Sequence, residues 1–260
     1  MPELPDIEVF TSNLNKIFAG KKIDKVKVVN GSKLKDKPKE LTSNLQGKTL
    51  TEVYRSGKEM RYKFSDGTLL GMHLMLTGDV FVFEKKNEHH STIIEIYFNN
   101  EKGIALTDRM KNANVKLNPE DKDGIDALEV NYKSLKKILD RKANIKNILL
   151  DQNAIRGIGN AYSDEILWET KISPFSKGNA IPDEKIKELA KNIRKVFKNA
   201  TAYIKKNYPG KIQGEVRDFL KIHTKKKEKS PTGKPIKIVD KGMLKTYYTD
   251  EQVLYNKPID

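Results

Sequence analysis

The chain has 260 residues, enough for a full core and two domains, and its 50 lysine and arginine residues outnumber 35 acidic ones, a formal net charge of +15. That excess points to a polyanionic partner, nucleic acid above all. There is no cysteine, which excludes disulfides, thiol catalysis and thiolate zinc sites, and among the four histidines only His89 and His90 are adjacent, so neither metal nor cofactor is expected. No segment is long and apolar enough to span or anchor in a membrane. The opening residues are acidic and proline-interrupted rather than basic then apolar, so a cytoplasmic protein off the membrane is expected.

The first six residues, Met1-Pro2-Glu3-Leu4-Pro5-Asp6, admit two readings. In one, the prolines merely stiffen the start of a helix. In the other, removal of Met1 leaves Pro2 with a free secondary amine, which titrates at roughly 7.7–8.0 and is partly nucleophilic near neutral pH, whereas lysine sits at about 10.4. Such an amine can form a Schiff base with a sugar carbon, and a neighbouring carboxylate such as Glu3 can carry protons.

Behind the terminus, Ile7, Phe10, Leu14, Ile17 and Phe18 recur at helical spacing and predict an amphipathic helix over 5–19 that ends near Gly20. A helix starting there would hold Pro2 and Glu3 rigidly. From residue 22 to about 117 the period becomes that of strands. They are expected at Ile23–Val28, Lys48–Tyr54, Met60–Phe64, Thr68–Leu74, Val80–Phe83, Thr92–Phe98, Gly103–Leu106 and Ala113–Leu117. Short strands so spaced suggest a two-layer sandwich. Asn118-Pro119-Glu120-Asp121-Lys122-Asp123-Gly124 has linker composition.

Beyond it the period is helical. Leu135, Ile138 and Leu139 mark one helix; Ile145, Ile148 and Leu149 mark a shorter one. Others are expected through Tyr162, Ile166 and Trp168, and from Pro182 to about Tyr208. Strand-like runs at Pro235–Val239 and Leu244–Tyr248 predict a hairpin around Lys241-Gly242. In Ile155-Arg156-Gly157-Ile158-Gly159-Asn160, the glycines let the backbone approach a ligand and Asn160 stands where a helix N-cap belongs. Amides at such a helix start favour an anion such as a DNA phosphate, although tight interhelical turns use Gly-x-Gly structurally as well.

Pro2-Glu3-Leu4-Pro5, taken with Asp151-Gln152 and Gly157-Ile158-Gly159-Asn160-Ala161-Tyr162-Ser163-Asp164-Glu165, closely resembles the formamidopyrimidine-DNA glycosylase/endonuclease VIII family. Intermediate landmarks fall in order. Ser56-Gly57-Lys58 resembles the segment carrying a DNA-binding lysine. His73-Leu74-Met75-Leu76-Thr77-Gly78 resembles the segment whose side chain fills the void left by a flipped base, here Leu76. Thr107-Asp108 resembles the start of a Thr-Asp-Pro-Arg-Arg-Phe segment.

The resemblance implies an α+β fold: an N-terminal helix and two-layer antiparallel β-sandwich, then a helix-two-turn-helix domain with a β-hairpin zincless finger. The implied divisions are a catalytic domain over 1–118, a linker over 119–131, the helical domain over 132–220 and the finger over 221–260. It implies a monomeric, bifunctional glycosylase and abasic-site lyase acting in base excision repair on double-stranded DNA with a damaged base or abasic site. The Leu4 form of the terminus leans toward oxidised purines such as 8-oxoguanine and formamidopyrimidines. Pro2, Glu3 and Lys58 would be catalytic, and Lys58, Gly159, Asn160, Lys111 and Lys245 would contact DNA. Leu76 and Met110 would fill the void, with Asp6 as support.

Departures from the pattern are visible. Asp6 replaces a glutamate, and Met110-Lys111-Asn112 replaces the segment with the aromatic wedge. Fitting Cys-x-x-Cys-Gly-x-Pro-Ile places Lys229 and Thr232 on the first ligand pair, and Thr249 and Gln252 on the second, so every ligand is missing. The finger's arginine has no clear counterpart; Lys245 is the candidate, with Leu244 at the strict register. Plainer readings make Lys58 a solvated surface charge, His73 a satisfied core histidine and Leu76 ordinary core. They also make Lys225-Lys226-Lys227 a solvated loop. Two other functions stay open: a non-catalytic protein that binds kinked or damaged DNA, and a lyase that cuts abasic sites without base excision.

Overall fold

A computed structural model describes residues 1–241 and 244–256. The chain divides into two compact units, one of Met1–Asp121 with Tyr203–Glu215, the other of Lys122–Ala202 with the segment from Val216 onward.

In the first unit, helix α1 (Leu4–Phe18) buries Leu4, Ile7, Phe10, Leu14 and Phe18 along one stripe and ends before Gly20, whose φ of +78° lies in the left-handed region. After β1 (Ile23–Val28) comes α2 (Pro38–Leu45), which the periodicity did not predict. Only Leu41 and Leu45 of α2 are buried, and an i, i+4 pair within eight residues is too brief a signal to read as a helix. The strands β2 (Leu50–Ser56), β3 (Glu59–Phe64), β4 (Leu69–His73), β5 (Asp79–Glu84), β6 (Thr92–Phe98), β7 (Lys102–Thr107) and β8 (Asn114–Leu117) fall where alternation placed them, with small shifts at their ends. They form two four-stranded antiparallel sheets in the orders β1-β6-β7-β5 and β2-β3-β4-β8. In β3 the inward set Met60, Tyr62 and Phe64 alternates with Arg61, which is also buried. The Arg61 guanidinium donates to the carbonyls of Pro119 (2.6 Å) and Glu120 (3.3 Å), anchoring the chain that leaves β8. Gly71 of β4 leaves room for it: a Cβ there would stand 2.7 Å from the Pro119 ring.

The second unit opens with β9 (Ile125–Asp126), followed by α3 (Tyr132–Leu139), α4 (Ile145–Leu150), β10 (Ile155–Arg156), α5 (Asn160–Thr170) and all but the last residues of α6 (Asp183–Asn207). β9 and β10 pair in parallel. Asn131 caps α3, its side chain accepting from Ser134 N at 3.0 Å. Leu135, Leu149, Tyr162, Ile166, Leu189 and Phe197 are fully or almost fully buried. An antiparallel hairpin of β11 (Lys237–Lys241) and β12 (Leu244–Tyr248) closes the fold; β11 starts two residues later than expected, and Gly242 of the expected turn lies outside the described residues.

Candidate active site and nucleic-acid interface

The amino terminus is held as part of the core. Pro2, Glu3 and Asp6 are all buried, and Asp6 is fully inaccessible. Asp6 Oδ2 accepts from the Glu3 backbone N–H at 2.9 Å, so the aspartate clamps the first turn from inside, satisfying a helix-start amide. A carboxylate there also complements the helix dipole. The shorter side chain thus still makes a defined contact. The Met1 amino group pairs with Glu215.

Lys58 is presented by a two-residue hairpin turn. Ser56 pairs with Glu59, and Gly57 between them has φ +59°, the left-handed first position of a II′ turn. That turn is tied to α1 by a residue sequence reading missed. Arg55 Nε donates to Glu8 Oε2 at 2.9 Å while its Nη1 donates to the Gly57 carbonyl at 3.0 Å. Further along, Val53 N donates to Asn15 Oδ1 at 2.8 Å. The helix therefore runs against β2 with its start toward the Lys58 turn, and Glu8 lies only about 7.5 Å along the axis from Glu3 at the ordinary helical rise. Through Arg55 the Gly57-Lys58 turn is tied to the first half of α1, the helix that Pro2 and Glu3 lead into. Nothing local in the sequence marks Arg55; its role appears only once α1 is packed against β2.

Two loops of the same unit expose large apolar side chains. Leu76 is 61% and Met110 53% accessible, so Leu76 is not core. One buried carboxylate joins their loops: Asp108 accepts from Thr77 Oγ1 (2.5 Å) and from the backbone N–H groups of Met110 (2.9 Å), Asn112 (2.7 Å) and Ala113 (2.8 Å). Burial raises the Asp108 carboxyl, but these donors outweigh it and leave it below its ordinary value. Lys111 is exposed on this loop with φ +55°, a conformation stabilised by its N–H donating to Asp108 O at 3.1 Å. His73 Nδ1 accepts from Met75 N at 3.0 Å, a turn-fixing role with no chemistry in it. Asp108→Asn is expected to cost about 1–3 kcal/mol by replacing an anionic acceptor of buried N–H groups. Because the folded carboxyl is depressed, its contribution is present above the unfolded value near 4 and lost as pH falls below it, so chemical denaturation should separate wild type from variant at pH 7 and converge in acid.

In the second unit the residues differ from expectation at one point. The N-cap of α5 is Gly159, with extended backbone, and Asn160 is the first helical residue. Its side chain is turned away from capping: Nδ2 donates to the Lys245 carbonyl at 3.0 Å, joining the helix start to β12. The loop ahead of it is stitched by Gln152. Gln152 Nε2 donates to Leu150 O (2.9 Å) and Ile158 O (2.8 Å), and Gly157 N donates to Gln152 Oε1 (3.0 Å). Gly157 has φ +104°, which a side chain would resist. Lys245 is half-exposed and lies 3.5 Å from Asp240 across the hairpin.

A charged network underlies this surface. Lys146 Nζ donates to Asp164 Oδ1 (2.7 Å), Thr246 Oγ1 (2.9 Å) and Lys245 O (3.1 Å). Asp164 Oδ2 accepts from Tyr247 N at 3.0 Å and lies 2.7 Å from His223 Nδ1. Glu165 accepts from the N–H groups of Lys221 (2.9 Å), Ile222 (2.8 Å) and His223 (2.8 Å). Burial raises its carboxyl although these donors pull the other way.

Residues 1–115 fit the model of the formamidopyrimidine-DNA glycosylase N-terminal domain, and residues 123–208 fit that of the formamidopyrimidine-DNA glycosylase H2TH domain. The chain is 32% identical over 217 residues to the formamidopyrimidine-DNA glycosylase of Ligilactobacillus salivarius, covering 77% of this chain and 78% of the relative. The chain belongs to the formamidopyrimidine-DNA glycosylase family. A second family relative, from Mycoplasmopsis pulmonis, is 30% identical over 249 residues, 88% of each chain. The fold is also that of the Lactococcus lactis family member solved with DNA containing an abasic site, at 21% identity and TM-score 0.84 over 95% of this chain and 98% of that one. A mutant of the L. lactis protein solved with Fapy-dG-containing DNA gives 22% identity and TM-score 0.83 over the same shares. No helix among the described residues is long and apolar enough to cross a membrane.

Proposed function

We propose that this member of the formamidopyrimidine-DNA glycosylase family excises oxidised bases, oxidised purines above all, from double-stranded DNA and cuts the strand at the resulting site. The observation that carries this reading is the rigid seating of Pro2 and Glu3: both are buried at the head of α1, clamped by Asp6, and the Lys58 turn is tied to the first half of that helix. A loose tail could not hold a nucleophile against a sugar carbon.

With Met1 removed, the Pro2 nitrogen attacks C1′ of the damaged nucleotide, the C1′–base bond breaks, and the base departs with the bonding pair and a proton. Glu3 delivers a proton to the ring oxygen as the C1′–O4′ bond opens, giving an iminium between Pro2 and the opened sugar. Loss of a C2′ proton then expels the 3′ phosphate, and a second elimination expels the 5′ phosphate. The base must leave the stack for C1′ to be reached. Leu76 and Met110, exposed on loops joined by Asp108, fill the space it vacates. Lys58, Lys111, Lys245 and the α5 start at Gly159-Asn160 take the backbone phosphates.

Base release from 8-oxoguanine duplex, scored beside strand cleavage of a preformed abasic duplex, tests this reading. Both activities are expected. Cleavage of the abasic duplex alone reduces the protein to a lyase, and salt-sensitive binding with neither activity makes it a damage-binding protein. Lys58→Ala is expected to weaken binding to all duplexes and to lower the slope of log affinity against log salt by about 1, read from titrations at several salt concentrations.

A further inference from the structure

The hairpin β11–β12 rests on a small apolar cluster and on an edge-to-face contact of Tyr248 with Phe175. Its small core consists of Trp168, Ile222 and Tyr247, with Ile236 packed alongside. A lone two-stranded hairpin is marginal in water, and small modules need a staple such as a metal. The residues aligned with metal ligands do not fit that role: Lys229, Thr232, Thr249 and Gln252 offer neither thiolate nor imidazole. No group of three or more His, Cys, Asp or Glu that could hold a metal ion occurs among the described residues.

What these segments converge on is a carboxylate. Glu251 Oε2 accepts from Thr232 Oγ1 (2.7 Å) and Thr249 Oγ1 (3.1 Å), with longer contacts from Trp168 Nε1 (3.3 Å) and Ser230 Oγ (3.4 Å). Lys171 Nζ lies on the other oxygen, Oε1, at 3.1 Å. Ser230 Oγ is also 2.8 Å from Thr232 Oγ1, so the hydroxyls form a relay into the carboxylate. Gln252 joins the same knot, accepting from Thr249 N and donating to Ile172 O, each at 2.8 Å. Trp168 and Lys171 stand at the end of α5 and just beyond it, Ser230 and Thr232 in the turn ahead of β11, and Thr249 just past β12. One side chain thus ties together three segments distant in sequence.

We propose that Glu251 is the staple of this finger, a carboxylate that cross-links by charge-assisted hydrogen bonds the segments a bound metal would otherwise hold, and so positions the hairpin carrying Lys245. Hydrogen bonds to a charged acceptor are the stronger kind, and several on one group reinforce each other. Burial raises the Glu251 carboxyl, but the donors and the Lys171 charge outweigh it and bring it down to about 2, so the group stays ionised wherever the enzyme works.

Hydrogen exchange on the full-length protein tests the idea without reference to activity. Peptides covering β11 and β12 are expected to exchange at least ~10-fold faster in Glu251→Gln and several-fold faster in Thr232→Val, while peptides from the first unit keep their wild-type rates and saturating EDTA changes nothing. A second arm rests on the proposed function: in Glu251→Gln the KM for abasic duplex is expected to rise about 10-fold, while single-turnover cleavage at saturating DNA stays at the wild-type rate and Glu251→Asp recovers part of the loss. If wild type proves inactive, the exchange arm still decides the staple. If Glu251→Gln does not fold, the Thr232→Val comparison does so. Unchanged hairpin exchange in the variants, EDTA-accelerated exchange in wild type, or a stoichiometric metal found in the purified protein would overturn the proposal.

Discussion

Protein carrying one extra residue ahead of Pro2 is expected to bind abasic duplex and to lose strand cleavage entirely, because an acylated nitrogen has no lone pair to offer the sugar. Pro2→Gly frees a primary amine and is expected to fall at least ~100-fold in cleavage, within the range general for losing a positioned group. A secondary amine gives an iminium that is charged without taking up a proton, and this favours loss of the C2′ proton in the next step. A primary amine gives an imine that must be protonated first. Glycine also removes the ring that fixes the chain as it enters α1. Binding of an uncleavable abasic analogue by both proteins, set beside single-turnover cleavage, separates lost chemistry from lost affinity. Cleavage at the wild-type rate in the extended protein would defeat the proposed nucleophile.

The second large effect is on stability. Asp164→Ala leaves the buried Lys146 ammonium without its carboxylate and removes the acceptor of Tyr247 N. Breaking one side of such a buried pair costs about 3–5 kcal/mol, whereas replacing both sides with apolar groups is often neutral. The single variant is therefore expected to unfold at clearly lower urea, and Lys146→Met with Asp164→Leu to recover most of the loss. Trp168 is the sole tryptophan of the chain and lies in the same unit, so its fluorescence reports the transition of interest. A single variant as stable as wild type would mean that the network is not what supports the finger. Because the hairpin contacts Lys146 through Lys245 O and Thr246, the single variant should also weaken DNA binding.

Much of this was legible in the sequence because the periods are clean. The stripe Ile7, Phe10, Leu14 and Phe18 leaves no alternative to a helix, and β6 was read at its observed bounds because Thr92–Phe98 is β-branched or aromatic almost throughout. Helix α2 was invisible because Thr42, Ser43 and Asn44 have weak helix propensity and only two leucines mark its face. At Asn160 the residue type suggested a cap, but the preceding glycine already supplies the extended conformation a cap needs, which frees the amide to reach β12. Residues acting through tertiary contacts carried no local signal. Arg55 reads as an ordinary charged strand residue until α1 is seen against it. Glu251 falls between the aligned positions Thr249 and Gln252, so matching the ligand pattern passed over the residue that replaces the ligands. Asp108 was read as the beginning of a motif, and its work lies in joining loops about 30 residues apart, a placement set by strand pairing rather than spacing.

The central claim is that the terminal imino nitrogen does the chemistry, and borohydride reduction tests it most directly. Wild-type protein lacking Met1, mixed with abasic duplex and reduced, should yield a covalent adduct that peptide mass spectrometry assigns to Pro2. An adduct on any lysine, or none at all under conditions where the duplex is bound, would contradict the account.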